Sequence, residues 1–202
     1  ETNGAGSAFF DWDADGDLDL YLVNSGDMVR GRGEDWNALY RNEGHTFSLV
    51  QGAAGARGES YGMGVAVADY DSDGDPDLYL TSWGPDQLYR SDGGTFVDVS
   101  EFAGLGHRGW TTSAVFFDAD LDGDVDLFAA QYVRFELGEQ PWCGREDMDL
   151  RFYCDPRLFS ATADILYRNE GDNTFSEVGQ GAGIVQRGNG LGVVAGDWDL
   201  DG

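Results

Sequence analysis

The chain contains no lysine, and only two histidines, two cysteines and four prolines in 202 residues. All 12 of its basic residues are arginine, set against 38 acids, for a formal net charge of −26. So few cations exclude a reader of nucleic-acid backbones, which needs a basic face. They also argue against attachment to anionic membrane surfaces. No apolar run approaches the roughly 18 residues of a membrane-spanning helix, so no membrane insertion is expected. The opening residues Glu1-Thr2-Asn3-Gly4 have no basic or apolar region, so no signal peptide is expected within residues 1–202. Hydrophobic residues still make up 41% and aromatics 13%, which is enough for a core and excludes wholesale disorder.

The acidity is local and ordered. Four segments repeat one phrase: Asp11-WDADGDLDL, Asp69-YDSDGDPDL, Asp118-ADLDGDVDL and the shorter Asp197-WDLDG. Together they hold 18 aspartates, and the rest of the chain carries 20 acids against 12 arginines. A uniformly acidic, salt-adapted surface therefore explains little of the charge. A second phrase travels with the first. Leu39-Tyr40-Arg41-Asn42-Glu43-Gly44, Leu88-Tyr89-Arg90-Ser91-Asp92-Gly93 and Leu166-Tyr167-Arg168-Asn169-Glu170-Gly171 each lead to a Thr-Phe pair. Each is a β-hairpin signal, an aromatic strand followed by an Asn/Asp/Gly turn and a β-prone strand. Ala-Gly-Ala, Ala-Gly-Leu and Ala-Gly-Ile follow at 54–56, 103–105 and 182–184.

Spacing separates fixed from variable parts. From hairpin Leu to the next first Asp the distances are 30, 30 and 31 residues, whereas from first Asp to hairpin Leu they are 28, 19 and 48. All length variation falls at one connection, so the inserts, residues 24–36 and 131–162, emerge on one side of a stacked array. Apolar strands are expected before the Asp phrases, at Gly4–Phe10, Gly62–Ala68, Ser113–Phe117 and Gly190–Gly196. No helical period is sustained. A repeated unit of four antiparallel strands in about 40–50 residues is the signature of a β-propeller blade. The expected fold is all-β: residues 1–202 form a single partial propeller domain, with about three blades and part of a fourth. The blade faces at both ends of the array are expected to expose apolar residues.

The Asp phrase has the spacing of a metal loop. Carboxylates occupy positions 1, 3, 5 and 9, Gly at 6 permits a sharp reversal, and the carbonyl of residue 7 turns inward. An all-oxygen set suits Ca²⁺, and no thiolate or imidazole is present for zinc. Position 12 is Leu22, Leu80 and Ala129 rather than Glu, and strands flank the loop, so this is not an EF-hand.

These loops, the apolar strand ahead of them and the L-Y-R-N-x-G-x-T-F hairpin resemble FG-GAP/VCBS repeats. More narrowly they are similar to the cartilage acidic protein-like group, whose propellers often precede an ASPIC/UnbV domain. The resemblance implies a seven-bladed, integrin-α-like propeller, extracellular or periplasmic, with Ca²⁺ in its blade loops. By motif match, Asp11, Asp13, Asp15 and Asp19, Asp69, Asp71, Asp73 and Asp77, and Asp118, Asp120, Asp122 and Asp126 would be side-chain ligands. Asp17, Asp75 and Asp124 would offer backbone carbonyls. The fourth loop holds only Asp197, Asp199 and Asp201 and is expected to bind poorly. With no ASPIC/UnbV segment and fewer than seven repeats, the chain reads as a propeller fragment.

Other chemistry is sparse. Gly58-Glu59-Ser60-Tyr61-Gly62 fits the nucleophile-elbow pattern, but a blade strand follows it where an elbow needs a helix. His45 and His107 do not recur and suit surface positions. Cys143 and Cys154, eleven residues apart in the long insert, suit one disulfide. The same insert interleaves Arg134, Arg145, Arg151 and Arg157 with Trp142, Phe152 and Tyr153, either as a recognition patch or to pack the insert onto its blade. The expected function is a non-catalytic Ca²⁺-binding module that recognises a protein or glycan. The alternatives are part of a Ca²⁺-dependent polysaccharide-cleaving propeller, or a scaffold for another domain.

Overall fold

The computed structural model describes residues 6–28 and 36–197. Among them, the first blade is a meander of β1 (Ser7–Phe10), β2 (Asp19–Leu22), β3 (Ala38–Asn42) and β4 (Phe47–Val50). The second consists of β5 (Tyr61–Ala68), β6 (Asp77–Pro85), β7 (Gln87–Ser91) and β8 (Phe96–Asp98), followed by the single-turn helix α1 (Ser100–Ala103). The third starts with β9 (Arg108–Phe117) and β10 (Asp126–Gln131). Its insert holds β11 (Val133–Arg134), β12 (Gly144–Arg145), β13 (Leu150–Arg151) and β14 (Ser160–Ala163). The blade then resumes with β15 (Ile165–Asn169) and β16 (Phe175–Glu177), and β17 (Arg187–Gly188) pairs with β14.

Period-2 alternation in the Leu-Tyr pairs explains how the blades stack. Leu39 points into the first interblade core, and Tyr89 of the next blade meets it there with Leu78, Leu80 and Phe96. Leu88 and Tyr79 point the other way, into a second core with Leu127, Ile165, Tyr167 and Phe175. The Ala-Gly phrases fill the gaps, since Ala56 is buried in the first core with Ala54 packed against it, and Ala103 and Leu105 are buried in the second. On the first blade, the opposite face leaves Phe9, Phe47 and Leu49 exposed.

Two details differ from the expected pattern. Strands β6 and β9 run past their blades and pair with each other, Trp83 opposite Trp110 and Pro85 opposite Arg108, joining the second and third blades into one eight-stranded sheet. At 190–196 no strand forms. Gly190 is held only at its ends: its N–H donates to Gln131 O at 2.9 Å, and its carbonyl accepts from Thr112 Oγ1 at 2.9 Å.

Candidate metal centres

Each Asp loop joins the first two strands of a blade, at Asp11–Asp19, Asp69–Asp77 and Asp118–Asp126. Its turn needs two left-handed residues. One is the expected glycine at position 6, with φ of 95°, 98° and 99° at Gly16, Gly74 and Gly123. The other is position 4, where Ala14, Ser72 and Leu121 hold φ of 58°, 58° and 63°. These residues bear a Cβ, so each stores backbone strain of about 1 kcal/mol.

The carboxylates divide by role. At position 1, Asp11 accepts the N–H of Asp15 at 3.1 Å and of Gly16 at 3.0 Å. Asp69 does the same with Asp73 and Gly74, at 3.0 and 2.9 Å. Asp118 accepts from Leu121 and Gly123 at 2.7 and 3.0 Å. At position 5, Asp15, Asp73 and Asp122 each accept the N–H of residue 7, from Asp17, Asp75 and Asp124. Position 9 is a buried clip. Asp77 takes the N–H of Tyr70 at 3.0 Å from its own loop and of Ser91 at 2.7 Å from the hairpin strand. Asp19 bridges Trp12 to Asn42, and Asp126 bridges Ala119 to Asn169, in the same way. Asp75 adds a second link, accepting the Gly93 N–H at 3.0 Å.

This clip explains why the loop and the L-Y-R hairpin travel together. The fourth residue of the hairpin phrase, Asn42, Ser91 or Asn169, supplies the N–H that the last loop aspartate needs. Asn169 also donates from Nδ2 to Tyr70 O at 2.9 Å, tying the third blade to the second blade's loop.

At position 3, one carboxylate oxygen goes unmet in two loops. Asp13 Oδ1 and Asp71 Oδ1 are buried and make no hydrogen bond, and the same holds for Asp17 Oδ1. Carboxylate oxygens of Asp11, Asp13 and Asp15 lie within 4.8 Å of one another, as do those of Asp69, Asp71 and Asp77, and of Asp118, Asp120 and Asp122. The structure thus brings positions 1 and 3 together in all three loops, position 5 in two and position 9 in one. Burial pushes Asp71 up, and the charges of Asp73 and Asp69 add to it against the pull of Arg90. Burial likewise pushes Asp77 up to about 7, opposed by the N–H groups of Ser91 and Tyr70. In the first loop burial raises Asp13, opposed by Arg41, whose guanidinium sits 2.8 Å from Asp13 and 3.2 Å from Asp15. Clusters of carboxylate oxygens this close together could hold a metal ion, and their all-oxygen chemistry is of the kind a hard cation takes.

The remaining candidates sort clearly. Ser60 is followed directly by β5, so no nucleophile elbow exists. His45 is exposed in its hairpin turn. His107 is not a plain surface residue: it is half-buried between blades, burial lowers its pKa, and its carbonyl accepts the Asp86 N–H at 2.9 Å. Cys143 and Cys154 are bonded, with a Cα separation of 5.3 Å, across the base of the β12–β13 hairpin. Phe152 and Tyr153 are exposed; Phe135 and Phe159, which sequence reading passed over, anchor the insert instead. Asp197 is exposed, and Asp199 and Asp201 lie outside the described residues.

The FG-GAP-like repeat family model matches residues 11–80 and 69–129. Each match opens on the first aspartate of one loop and runs through the next loop into the strand beyond it. The chain belongs to the FG-GAP-like repeat family. No curated protein matches it. The FG-GAP repeat is thus a blade counted from loop to loop, and the position-9 clip is the hydrogen-bonded joint inside it. No helix among the described residues is long and apolar enough to cross a membrane.

Proposed function

We propose that the chain is a Ca²⁺-stabilised, non-catalytic recognition module of an extracellular propeller, displaying its long insert to protein or glycan partners. The observation that carries this reading is the convergence of three carboxylates in each of three loops, with Asp13 Oδ1 and Asp71 Oδ1 buried and unpartnered. Such oxygens cost about 1–3 kcal/mol each when nothing meets them, and a bound cation removes that cost. The donors are all oxygen, which selects a hard ion. Asp69, Asp71, Asp73 and Asp77 would hold it in the second loop, with their counterparts in the first and third. The exposed Phe152 and Tyr153 on a disulfide-closed hairpin supply the aromatic surface that recognition sites favour.

Calorimetry and thermal melting test the calcium part. Affinity should be that of extracellular modules, with Kd of about 10⁻⁴–10⁻³ M. At tenfold Kd each site adds about 1.4 kcal/mol, so Ca²⁺ should raise the melting temperature and EDTA should reverse the rise. A melting curve indifferent to both would sink the reading.

A further inference from the structure

The two interblade cores obey one mating rule. Each joins two rows of residues that stand opposite one another across the strands of a blade. On the first blade the row Ala8, Tyr21, Leu39 and Val50 faces the second blade, and all four pack in the first core. On the second blade Ala66, Tyr79, Leu88 and Val99 face the third in the same way, in the second core. Each such back row meets a front row on the next blade: Val67, Leu78 and Tyr89 in the first core, and Phe116, Leu127 and Tyr167 in the second. The Ala-Gly phrase belongs to the joint as well. A Cβ on Gly55 would run into Phe96 O, and one on Gly104 would come to 3.1 Å from Phe175 O.

Among the described residues, each half of this joint also occurs once without its mate. The first blade carries a front row as Phe9, Leu20, Tyr40 and Leu49, with Phe47 in the place of Phe96 and Phe175. Phe9, Phe47 and Leu49 are 58%, 48% and 62% exposed, whereas Phe96 and Phe175 are buried. This row ends on Leu49 where the covered rows end on Asp98 and Glu177, so the most apolar of the three is the one left open. The third blade carries a back row as Val115, Phe128, Leu166 and Val178. Tyr21 and Tyr79 are fully buried at the place where Phe128 is half-buried, and Ala182 is exposed where Ala103 is fully buried. A Cβ on Gly183 meets nothing within 4 Å.

We infer that the open face of the first blade docks the open face of the third blade of a second copy of this chain, head to tail. The occupant follows from continuity with the two joints inside the chain. In both, a front row is covered by a back row and its Ala-Gly phrase, and the third blade presents that same combination uncovered. The two open faces stand at opposite ends of the stack with the second blade between them, so they meet between copies. An exposed apolar face of this kind marks an association site. The joint uses two different faces, so each copy in a pair keeps one face free. The inference goes beyond the recognition reading and needs neither the insert nor its ligand.

Sedimentation velocity of the Ca²⁺-loaded chain tests this, in salt that screens the −26 charge of each copy. The sedimentation coefficient should rise with protein concentration, with Kd in the micromolar range. Phe47→Arg spoils the front face and Ala182→Arg the back face, both at positions exposed in the single chain. Each should weaken association by at least about 30-fold, the scale of a hot-spot residue. An equimolar mixture of the two variants should form pairs that grow no further, because each variant brings one intact face. Leu49→Arg and Gly183→Ala replace the first two variants should either fail to fold. Phe102→Ser, exposed on α1 of the second blade, should leave association unchanged. The inference is overturned if the parent chain stays monomeric at every concentration. It is also overturned if a front-face variant blocks association and a back-face variant does not, if the mixture forms no pairs, or if Phe102→Ser alone abolishes association.

Discussion

One polar residue two positions before each hairpin Leu closes the turn from the second strand into the third. Asn37 Oδ1 accepts the N–H of Asn24 at 2.8 Å, Asp86 Oδ1 that of Ser82 at 2.8 Å, and Asp164 Oδ1 that of Gln131 at 2.7 Å. The phrases Asn37-Ala-Leu-Tyr, Asp86-Gln-Leu-Tyr and Asp164-Ile-Leu-Tyr recur in the sequence, but an isolated Asp or Asn before a strand resembles any turn residue. Burial sets Asp86 apart. It also accepts from Thr111 Oγ1 at 2.6 Å and Tyr79 Oη at 3.1 Å, yet its burial pushes its pKa up to about 7. A carboxyl raised in the fold binds its proton more tightly there than in the unfolded chain. Its contribution is therefore complete below its ordinary value near 3.8 and is lost as pH rises toward about 7. Asn37 shows that an amide fits the position, its Nδ2 donating to Tyr21 Oη at 2.9 Å. Asp86→Asn should therefore match the parent at pH 4 and exceed it in stability at pH 8, by at most about 4 kcal/mol. Denaturant melts of both proteins across that range check this, and parallel pH profiles would contradict it.

At the level of elements, the long insert is a stapled hairpin on an aromatic foot. The Cys143–Cys154 bond closes β12 onto β13, which pair through Gly144–Arg151 and Arg145–Leu150, with one more bond from the Phe152 N–H to Cys143 O at 2.9 Å. So short a ladder cannot hold itself in water. Closing a loop of this size is worth roughly 2–3 kcal/mol in the chain-entropy model. The double variant Cys143→Ser with Cys154→Ser should let a protease cut between 143 and 154 while the blades keep their melting temperature. Equal resistance before and after would show that the hairpin stands without its bond. The disulfide was legible because two cysteines in one insert leave a single pairing. The blades and loops were legible because each repeat states its own strands and its loop aspartates in consecutive residues. The foot was not: Phe135 and Phe159 are ordinary insert residues until folding sets Phe135 against Trp83 and Trp110, about 50 and 25 positions earlier. The β6–β9 pairing was hidden for the same reason, since no residue in either strand announces a partner in the neighbouring blade.

The whole molecule is a stack whose cohesion depends on how closely one blade's Ala-Gly phrase approaches the next blade's fourth strand. Gly55, at φ 111°, is packed so tightly that a Cβ would run into the Phe96 carbonyl oxygen of the second blade. Gly104, at φ 79°, repeats the approach one blade on, where a Cβ would come to 3.1 Å from Phe175 O. Gly183 has nearly the same backbone, φ 85°, but a Cβ there meets nothing within 4 Å among the described residues. Alanine at these three positions separates backbone strain from interface fit. Gly183→Ala should cost only the left-handed penalty, about 1–2 kcal/mol. Gly104→Ala adds a tight contact, and Gly55→Ala must also push the first blade off the second, so its cost should be the largest, above about 3 kcal/mol. In a stack each blade is stabilised chiefly by its neighbours, so Gly55→Ala should release the first blade while the second and third stay joined through β6 and β9. Hydrogen exchange should then rise across 7–50 and stay low across 108–131. Equal costs at the three glycines, or a uniform rise in exchange along the chain, would show that the blades do not depend on this approach for their cohesion.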